Sequence, residues 1–358
     1  MTSSFVSRSK APVFVVGSPR SGTTLLYDML LSAGNFAVYL TESNVFALLS
    51  QRFGNLHVRR NRERLMRVWL GSKLFRASGL DAESIDRRIM EDCLNYGDFL
   101  RITMEEIGKY QHMERWAENT PEHLIYLPII QATIPDLLVV HMIRDGRAVA
   151  LSLDKRSDRG LQALPWHKHL NLMVQGLYWE WIVCRGLEYS QALGDRYIEL
   201  RFEDLIGSPR PTLGKLSDFV GQELDYDSIQ QVGYGSVSKP NTSFRKEPAE
   251  SVFDPVGRWR KAFSKEQLEM FEALVGNTLQ RLGYLLLTSV KQQADGQLKR
   301  LRKLYFAYFD GRFWVKNSSL TRMLRGPLTA EELDAIVMGD DHPAKIVAPP
   351  LSPTSTRH

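Results

Sequence analysis

The sequence V-V-G-S-P-R-S-G-T-T at residues 15–24 has the pattern of a phosphate-binding loop in which one residue differs. Gly17 and Gly22 occupy the two glycine positions of the pattern G-x-x-x-x-G-K-[S/T], but Thr23 stands where nucleotide hydrolases have lysine. The apolar run at residues 13–16 precedes the loop, and apolar residues at helical spacing follow it. A strand, a glycine-rich loop and a helix in this order present backbone N–H groups to one anion. The sequence therefore predicts a site for a phosphate or a phosphate-like ester.

Two further apolar runs predict buried strands at Leu137–Ile143 and Tyr197–Phe202. Long helical tracts, at about Asp81–Tyr110 and Leu172–Leu193, lie between the predicted strands. Almost wholly apolar strands that alternate with helices are typical of a parallel sheet covered on both faces. The predicted fold class is therefore α/β, with a P-loop-type parallel sheet flanked by helices and followed by a helical C-terminal extension.

The composition of the 358 residues, 43% hydrophobic and 24% charged, is typical of a soluble globular protein. We place the main domain at residues 1–288 and a basic, aromatic extension at 289–358, with a disordered Pro-, Ser- and Thr-rich end. No apolar run predicts a signal peptide or a membrane-spanning helix, so we expect a cytoplasmic location. The two cysteines and eight histidines are not spaced as a disulfide framework or a metal site, so no metal is expected.

The net charge of +5 arises mainly near the C-terminus, where residues 291–326 carry nine basic and two acidic side chains. Because the rest of the chain is nearly balanced, we do not expect a nucleic-acid partner. Residues 298–314 predict a helix with Leu298, Leu301, Tyr305 and Tyr308 on one side and basic residues in its first turns. Such a helix could make peripheral contact with an anionic membrane or a lipid acceptor, or it could dock on the main domain or a second subunit.

The same residues bear on the class of nucleotide chemistry. In ATP and GTP hydrolases the loop lysine spans two phosphates, and a carboxylate at the end of another strand helps to hold magnesium. Here Thr23 replaces that lysine, and the second predicted strand runs into Arg144. A P-loop phosphotransferase or nucleotide kinase is therefore the alternative that these two differences disfavour.

P-R-S-G-T-T after an apolar strand, followed more than a hundred residues later by a strand running into R-D-G-R-A-V-A-L-S, resembles a known family. These motifs are similar to those of sulfotransferases that use 3′-phosphoadenosine 5′-phosphosulfate (PAPS), in the branch of the protein-tyrosine sulfotransferases and their bacterial relatives. The resemblance covers about Pro12 to Tyr284. It implies an enzyme that moves a sulfuryl group from PAPS to a hydroxyl-bearing acceptor without a metal. The residues leave the class of acceptor and the oligomeric state open.

The resemblance also implies binding roles for individual residues. Those that would hold the 5′-phosphosulfate are Ser18, Arg20, Ser21, Gly22, Thr23 and Thr24, with Arg20 nearest the bridging oxygen of the leaving phosphate. Arg144 and Ser152 would bind the 3′-phosphate, and their spacing of little more than two helical turns allows both to face it. Phe202 would lie beside the adenine, where the family commonly has tyrosine. The segment G-R-W-R-K-A-F would close over the nucleotide through Arg258, Trp259, Arg260 and Lys261.

Glu42, in T-E-S at residues 41–43, stands where the tyrosine-sulfating branch has its general base, so the resemblance implies a catalytic role for Glu42 beside Arg20. A glutamate in the first turn of the following helix is the structural alternative for this residue. His167 or His169, in W-H-K-H, is the alternative base.

One position departs from the family pattern. The chain reads E-N-T-P at 118–121, whereas relatives often have a lysine at Asn119 that touches the transferred group. Either Arg20 alone stabilises the leaving group, or His123 or another cation compensates, or the activity is slow or altered. A nucleotide-binding scaffold that has lost its chemistry is the further alternative that this asparagine raises.

Overall fold

The computed structural model describes residues 8–155, 170–232, 256–288, 296–319 and 328–337. Its strands, numbered along the chain, are β1 (Val13–Gly17), β2 (Phe36–Ala37), β3 (Arg115–Glu118), β4 (Leu138–Ile143) and β5 (Tyr197–Arg201). They form one sheet in the order β2-β3-β1-β4-β5, and every neighbouring pair is parallel. The structure therefore confirms the predicted α/β class, and β1, which precedes the phosphate-binding loop, lies at the centre of the sheet.

Helices flank this sheet and make up most of the described chain. In chain order they are α1 (Thr23–Ser32), α2 (Ser50–Phe53), α3 (Arg59–Leu70), α4 (Lys73–Ser78), α5 (Ala82–Asp92), α6 (Tyr96–Gln111), α7 (Leu127–Thr133), α8 (Gly146–Asp154), α9 (Asn171–Leu193), α10 (Phe202–Gly207), α11 (Pro209–Val220), α12 (Tyr226–Val232), α13 (Trp259–Ala262), α14 (Lys265–Arg281), α15 (Gly296–Asn317) and α16 (Ala330–Val337). A π-helical segment (Val45–Leu49) leads into α2, and 3₁₀ turns lie at Arg8–Lys10, Pro121–Tyr126 and Gly194–Arg196.

Both faces of the sheet are buried, as the apolar runs predict. Phe14 and Val16 of β1 belong to one hydrophobic cluster, whereas Val13 and Val15 belong to a second cluster. Successive side chains of a strand point to opposite faces, so the two clusters lie on opposite sides of the sheet. The residues of β4 divide between the clusters in the same way. Burial on both faces explains why these strands are almost continuously apolar.

The two long helical tracts have different outcomes. The tract at 81–110 consists of two helices, α5 and α6, because Asn95 begins a new helix. Its side chain accepts a hydrogen bond from the Asp98 backbone N–H, and the Asp98 carboxylate accepts one from the Asn95 N–H. This reciprocal capping box satisfies the first N–H groups of α6. The tract at 172–193 is the single helix α9, as predicted.

Sequence analysis did not predict β2 or β3. β2 has two residues, and β3 reads R-W-A-E, in which charged residues at both ends are more typical of a surface segment. Arg115 is nevertheless buried, and it donates hydrogen bonds to the carbonyls of Ala11 (2.8 Å) and Arg8 (2.7 Å). These acceptors lie more than a hundred residues away in sequence, so local pattern carries no signal of them.

The C-terminal helices lie against the rest of the chain. α15 packs along α9 and α16 packs against α3. Tyr305, Phe309 and Leu333 belong to the same hydrophobic cluster as Phe14 of β1. One side of α15 is therefore docked on the main body. No helix within the described ranges is long and apolar enough to cross a membrane. The boundary at residue 288 stays a prediction, and the end predicted to be disordered lies outside the described residues.

Candidate active site

The predicted site residues lie in segments that follow the carboxyl ends of the strands. Because the strands are parallel, these segments leave the same edge of the sheet. Glu42 comes after β2, Asn119 after β3, the phosphate-binding loop after β1, Arg144 after β4 and Phe202 after β5. The strand order therefore sets the phosphate-binding loop between Asn119 on one side and Arg144 on the other.

The phosphate-binding loop, residues 18–24, has a backbone shaped to hold an anion. Arg20 (φ 73°) and Gly22 (φ 90°) are both in the left-handed region, and the Ser21 N–H donates to the Ser18 carbonyl at 3.1 Å. Alternating backbone handedness of this kind turns successive N–H groups toward one point. The Ser21 hydroxyl is buried and has no hydrogen-bond partner among the described residues. These features fit an oxyanion such as a phosphate or a sulfate ester.

Three side chains that sequence analysis assigned to opposite ends of the nucleotide lie in one hydrogen-bonded cluster. Arg20 Nε donates to Ser152 Oγ at 3.1 Å, and Arg144 Nη1 donates to the Arg20 carbonyl at 3.0 Å. Burial lowers the pKa of Arg144 to about 10, so its guanidinium still carries a charge near pH 7. The cluster thus joins two cations and a hydroxyl beside the loop.

Phe202 packs against Arg144 of this cluster. Its ring is only 4% exposed, and Cζ of Arg144 lies 4.2 Å from the ring centroid, which is the geometry of a cation–π contact. On another side the ring lies against Gly22, where a Cβ atom would come within 2.3 Å of it. The ring therefore contacts both the loop and Arg144. Its predicted position beside an adenine stays a prediction.

The motif G-R-W-R-K-A-F lies beside α8, the helix that carries Ser152. α13 packs on α8, and the Trp259 ring is buried with Cζ of Arg147 at 3.8 Å from its centroid. Arg147 in turn forms buried ion pairs with Asp145 (2.8 Å) and Glu272 (2.6 Å). Sequence analysis did not single out Arg147, although it lies in R-D-G-R. Through its contact with the Trp259 ring, Arg147 holds α13 against α8.

The three basic residues of that motif differ in exposure. Arg260 and Lys261 are exposed, whereas Arg258 is partly buried. Cζ of Arg260 lies 5.1 Å from the Trp259 ring centroid, so the Trp259 ring makes cation–π contacts with both Arg260 and Arg147. Exposure leaves Arg260 and Lys261 able to reach a ligand at the protein surface.

Glu42 is half-buried, and the residues that follow it are fixed to the end of β3. The Ser43 hydroxyl donates to Glu118 Oε1 at 2.6 Å, and the Asn44 N–H donates to Thr120 Oγ1 at 3.2 Å. Asn44 itself adopts a left-handed backbone with φ 53°. The structural alternative for Glu42 placed it in the first turn of a helix, whereas the π-helical segment begins three residues later, at Val45.

Glu118 is the centre of this attachment, and sequence analysis missed it although it begins the E-N-T-P motif. It accepts hydrogen bonds from Ser43, from the N–H and hydroxyl of Thr120, and from His123 Nδ1 at 2.9 Å. Burial alone would raise the pKa of Glu118, but His123 and the two hydroxyls outweigh it and hold this pKa below its ordinary value. Glu118 is therefore a buried carboxylate in its ionised form.

His123 uses both ring nitrogens within the protein. Nδ1 lies 2.9 Å from the Glu118 carboxylate, and Nε2 lies 3.2 Å from the Phe46 backbone nitrogen. His123 is fully buried, and its compensation for the lysine missing from the E-N-T-P motif stays a prediction. His167 and His169, the alternative bases, lie outside the described residues.

Asn119 directly follows β3, whose Glu118 lies opposite Phe14 of β1, the strand that precedes the phosphate-binding loop. It is buried, and its Oδ1 has no hydrogen-bond partner in the part of the chain that the structure describes. Over the same residues, no three His, Cys, Asp or Glu side chains come together as a metal site would require. The candidate site thus combines arginines, hydroxyls and amides with carboxylates, among them the half-buried Glu42.

The sequence is similar to those of curated carbohydrate sulfotransferases. The chain is 25% identical over 240 residues to carbohydrate sulfotransferase 2 of Mus musculus, a match that covers 56% of this chain and 44% of that protein. It is 26% identical over 223 residues to carbohydrate sulfotransferase 5 of Mus musculus, covering 56% of this chain and 55% of the relative. The chain therefore spans about half the length of the curated relatives it matches.

Among solved structures, the sulfotransferase domain from the curacin biosynthetic pathway aligns with a TM-score of 0.46 and 16% identity, over 78% of this chain and all of that domain. The profile of the sulfotransferase family matches residues 12–226, which include the phosphate-binding loop, Arg144, Ser152 and Phe202. Because this match covers more than half of the chain, the protein belongs to the sulfotransferase family.

Proposed function

We propose that this enzyme transfers a sulfuryl group from PAPS to a hydroxyl-bearing acceptor and releases adenosine 3′,5′-bisphosphate. The observation that carries the proposal is the hydrogen-bonded cluster of Arg20, Arg144 and Ser152 beside the phosphate-binding loop. PAPS carries negative groups at two separate positions of its ribose. A site with a loop for one anion and a neighbouring cation and hydroxyl for a second fits such a donor.

Each part of the site has a role in binding the donor. The N–H groups of the loop and the Ser21 hydroxyl would hold the 5′-phosphosulfate, with Arg20 offering charge to the leaving phosphate. Arg144 and Ser152 would hold the 3′-phosphate. The segment around Trp259, fixed through Arg147, would lie over the nucleotide and add the exposed Arg260 or Lys261.

The transfer needs one proton acceptor and a stabilised leaving group. PAPS supplies an activated sulfuryl group, whose bond to the 5′-phosphate oxygen breaks as the acceptor oxygen bonds to sulfur. Glu42 would take the hydroxyl proton as general base, and Glu118 and Ser43 would keep its segment in place. Arg20 and the loop amides would stabilise the charge that collects on the departing phosphate. Asn119 offers a neutral amide, so positive charge here would come from arginine.

The names of the matched relatives suggest which acceptors to test first. Both are carbohydrate sulfotransferases, and a sugar hydroxyl requires a base for the same reason that any alcohol does. A saccharide is therefore the first acceptor class for an assay, followed by a tyrosine peptide and a simple phenol. Transfer of label from ³⁵S-PAPS to these three acceptors is the direct measurement.

Two variants separate binding from chemistry. Arg144→Ala removes a charged hydrogen-bond donor, so we expect it to weaken binding of adenosine 3′,5′-bisphosphate by about tenfold to a hundredfold in calorimetry. Glu42→Gln retains the shape but cannot take a proton, so we expect turnover to fall by about 10²–10⁴ with binding retained. Arg210→Ala and Glu114→Gln, both at exposed positions, are the matched controls.

The outcomes also test the alternatives. A protein stabilised by ATP with magnesium and unaffected by the bisphosphate would be a phosphotransferase. A protein that binds the bisphosphate tightly yet labels no acceptor in a cell extract would be a scaffold. Full activity of Glu42→Gln would show that the base lies elsewhere, with His167 and His169 the next residues to change.

A further inference from the structure

Helix α15 packs on α9 with one of its faces. Tyr305 and Phe309 are buried there, and the Phe309 ring lies 5.8 Å from that of Trp181. Arg302 Nε lies 2.8 Å from the buried Glu180, and Asp310 accepts the Trp181 indole N–H at 2.9 Å. Aromatic packing and these polar contacts together fix the orientation of α15 about its own axis.

This orientation reverses the side of α15 that is available to a partner. The sequence pattern placed the apolar side at Leu298, Leu301, Tyr305 and Tyr308. In the structure all four of these residues are buried in or packed against the main core. The side that could be offered to a membrane is therefore the opposite one.

The opposite side carries exposed apolar residues and basic residues together. Leu304 is 46% exposed, Trp314 is 71% exposed and Val315 is 50% exposed, and their spacing sets them along one side of the helix. Arg300 and Lys303 are exposed on the same side, four residues and one residue before Leu304. We call these five residues the outer face of α15.

The charge near this face favours one kind of partner. Asp310, the acidic residue of α15, is engaged by Trp181 and by Arg185 at 2.7 Å, so it does not neutralise Arg300 or Lys303. The sequence from 291 to 326 has nine basic and two acidic residues. The two charged residues of the outer face, Arg300 and Lys303, are both basic, so two copies of this face repel each other, whereas an anionic surface attracts it. Tryptophan beside leucine and basic residues is also the usual composition of an interfacial helix.

We propose that the outer face of α15 binds the anionic headgroup region of a lipid bilayer and attaches the folded enzyme to it peripherally. Arg300 and Lys303 contact the headgroups, while Leu304, Trp314 and Val315 enter the boundary between headgroups and acyl chains. α15 stays docked on α9, so attachment requires no change of fold. This proposal is independent of the catalytic one, since no outer-face residue belongs to the sulfotransferase site.

Co-sedimentation of the full chain with vesicles tests the proposal. We expect binding to vesicles of phosphatidylcholine with about one third phosphatidylserine, little binding to pure phosphatidylcholine, and release by high salt. Arg300→Glu with Lys303→Glu, and separately Leu304→Ser with Trp314→Ser, should each weaken binding by about tenfold or more. Ile129→Ser, at an apolar position that is also exposed, is the matched control.

The changed side chains are exposed, so an unaltered melting temperature verifies that the variants fold. Absence of binding to the anionic vesicles, or equal binding by the outer-face variants and the wild type, overturns the proposal. A dimer in light scattering that Trp314→Ser converts to a monomer would overturn it as well, because a second copy would then cover the face.

Discussion

Replacement of Gly22 by alanine tests how the phosphate-binding loop and Phe202 fit together. At φ 90° an alanine is in the left-handed region, which costs about 1–2 kcal/mol. Its Cβ would lie 2.3 Å from Cδ2 and 2.6 Å from Cε2 of Phe202, and overpacking of a buried ring costs about 1–3 kcal/mol. We therefore expect Gly22→Ala to lower the free energy of unfolding by about 2–5 kcal/mol.

Gly34 provides a matched control for the backbone part of this loss. Its φ is 77°, but an added Cβ would meet nothing within 4 Å. Gly34→Ala should therefore cost only about 1–2 kcal/mol, and the difference between the two variants measures the contact with Phe202. Urea denaturation followed by tryptophan fluorescence gives both values.

The same change should also affect ligand binding. A displaced Phe202 ring moves the guanidinium of Arg144, which lies 4.2 Å above the ring centroid. We expect Gly22→Ala to weaken binding of adenosine 3′,5′-bisphosphate by more than about tenfold in calorimetry, and Gly34→Ala to leave it unchanged. Equal stability losses for the two alanine variants, or full affinity of Gly22→Ala, would refute this account of the loop.

Three further changes test the buried charges. Arg147→Met leaves the buried carboxylates of Glu272 and Asp145 without their cation, so urea denaturation should show a loss of about 3–5 kcal/mol in the free energy of unfolding. Arg210→Met, at an exposed ion pair, should change this free energy little. Glu118→Gln loses charged hydrogen bonds and should lower the free energy of unfolding by about 2–4 kcal/mol at pH 7. Because folding lowers the pKa of Glu118, the difference in stability between the variant and the wild type should shrink as the pH falls below 4.5. A difference that stays constant with pH would contradict the ionised state of Glu118. Burial raises the pKa of Asp28 to about 7, so the contribution of Asp28 to stability is complete below pH 3.8 and is lost as the pH rises through 7. Asp28→Asn should therefore stabilise the protein at pH 8 and have little effect at pH 3.5. Melting temperatures measured at both pH values check this.

Local pattern was sufficient for the parts of the site that lie within one strand, loop or helix. Val13–Gly17, the loop after it and α1 follow from an apolar run, two glycines and helical spacing. The prediction that Arg144 and Ser152 face one phosphate rested on their spacing of little more than two helical turns, and in the structure both side chains hydrogen-bond to Arg20. The predictions about Glu42, Phe202 and the tryptophan segment rested on resemblance, because no local pattern connects them to the loop.

Helical and strand periodicity are local properties of the chain, so the residue pattern was enough to predict an α/β protein with a glycine-bracketed loop at the end of a buried strand. Only the tertiary structure decided that β3 exists, since the burial of Arg115 and Glu118 depends on hydrogen-bond partners supplied by other segments. Only the packing of α15 on α9 decided which side of that helix faces outward. An amphipathic pattern specifies that two sides differ, but which side is buried depends on a surface that another part of the chain provides.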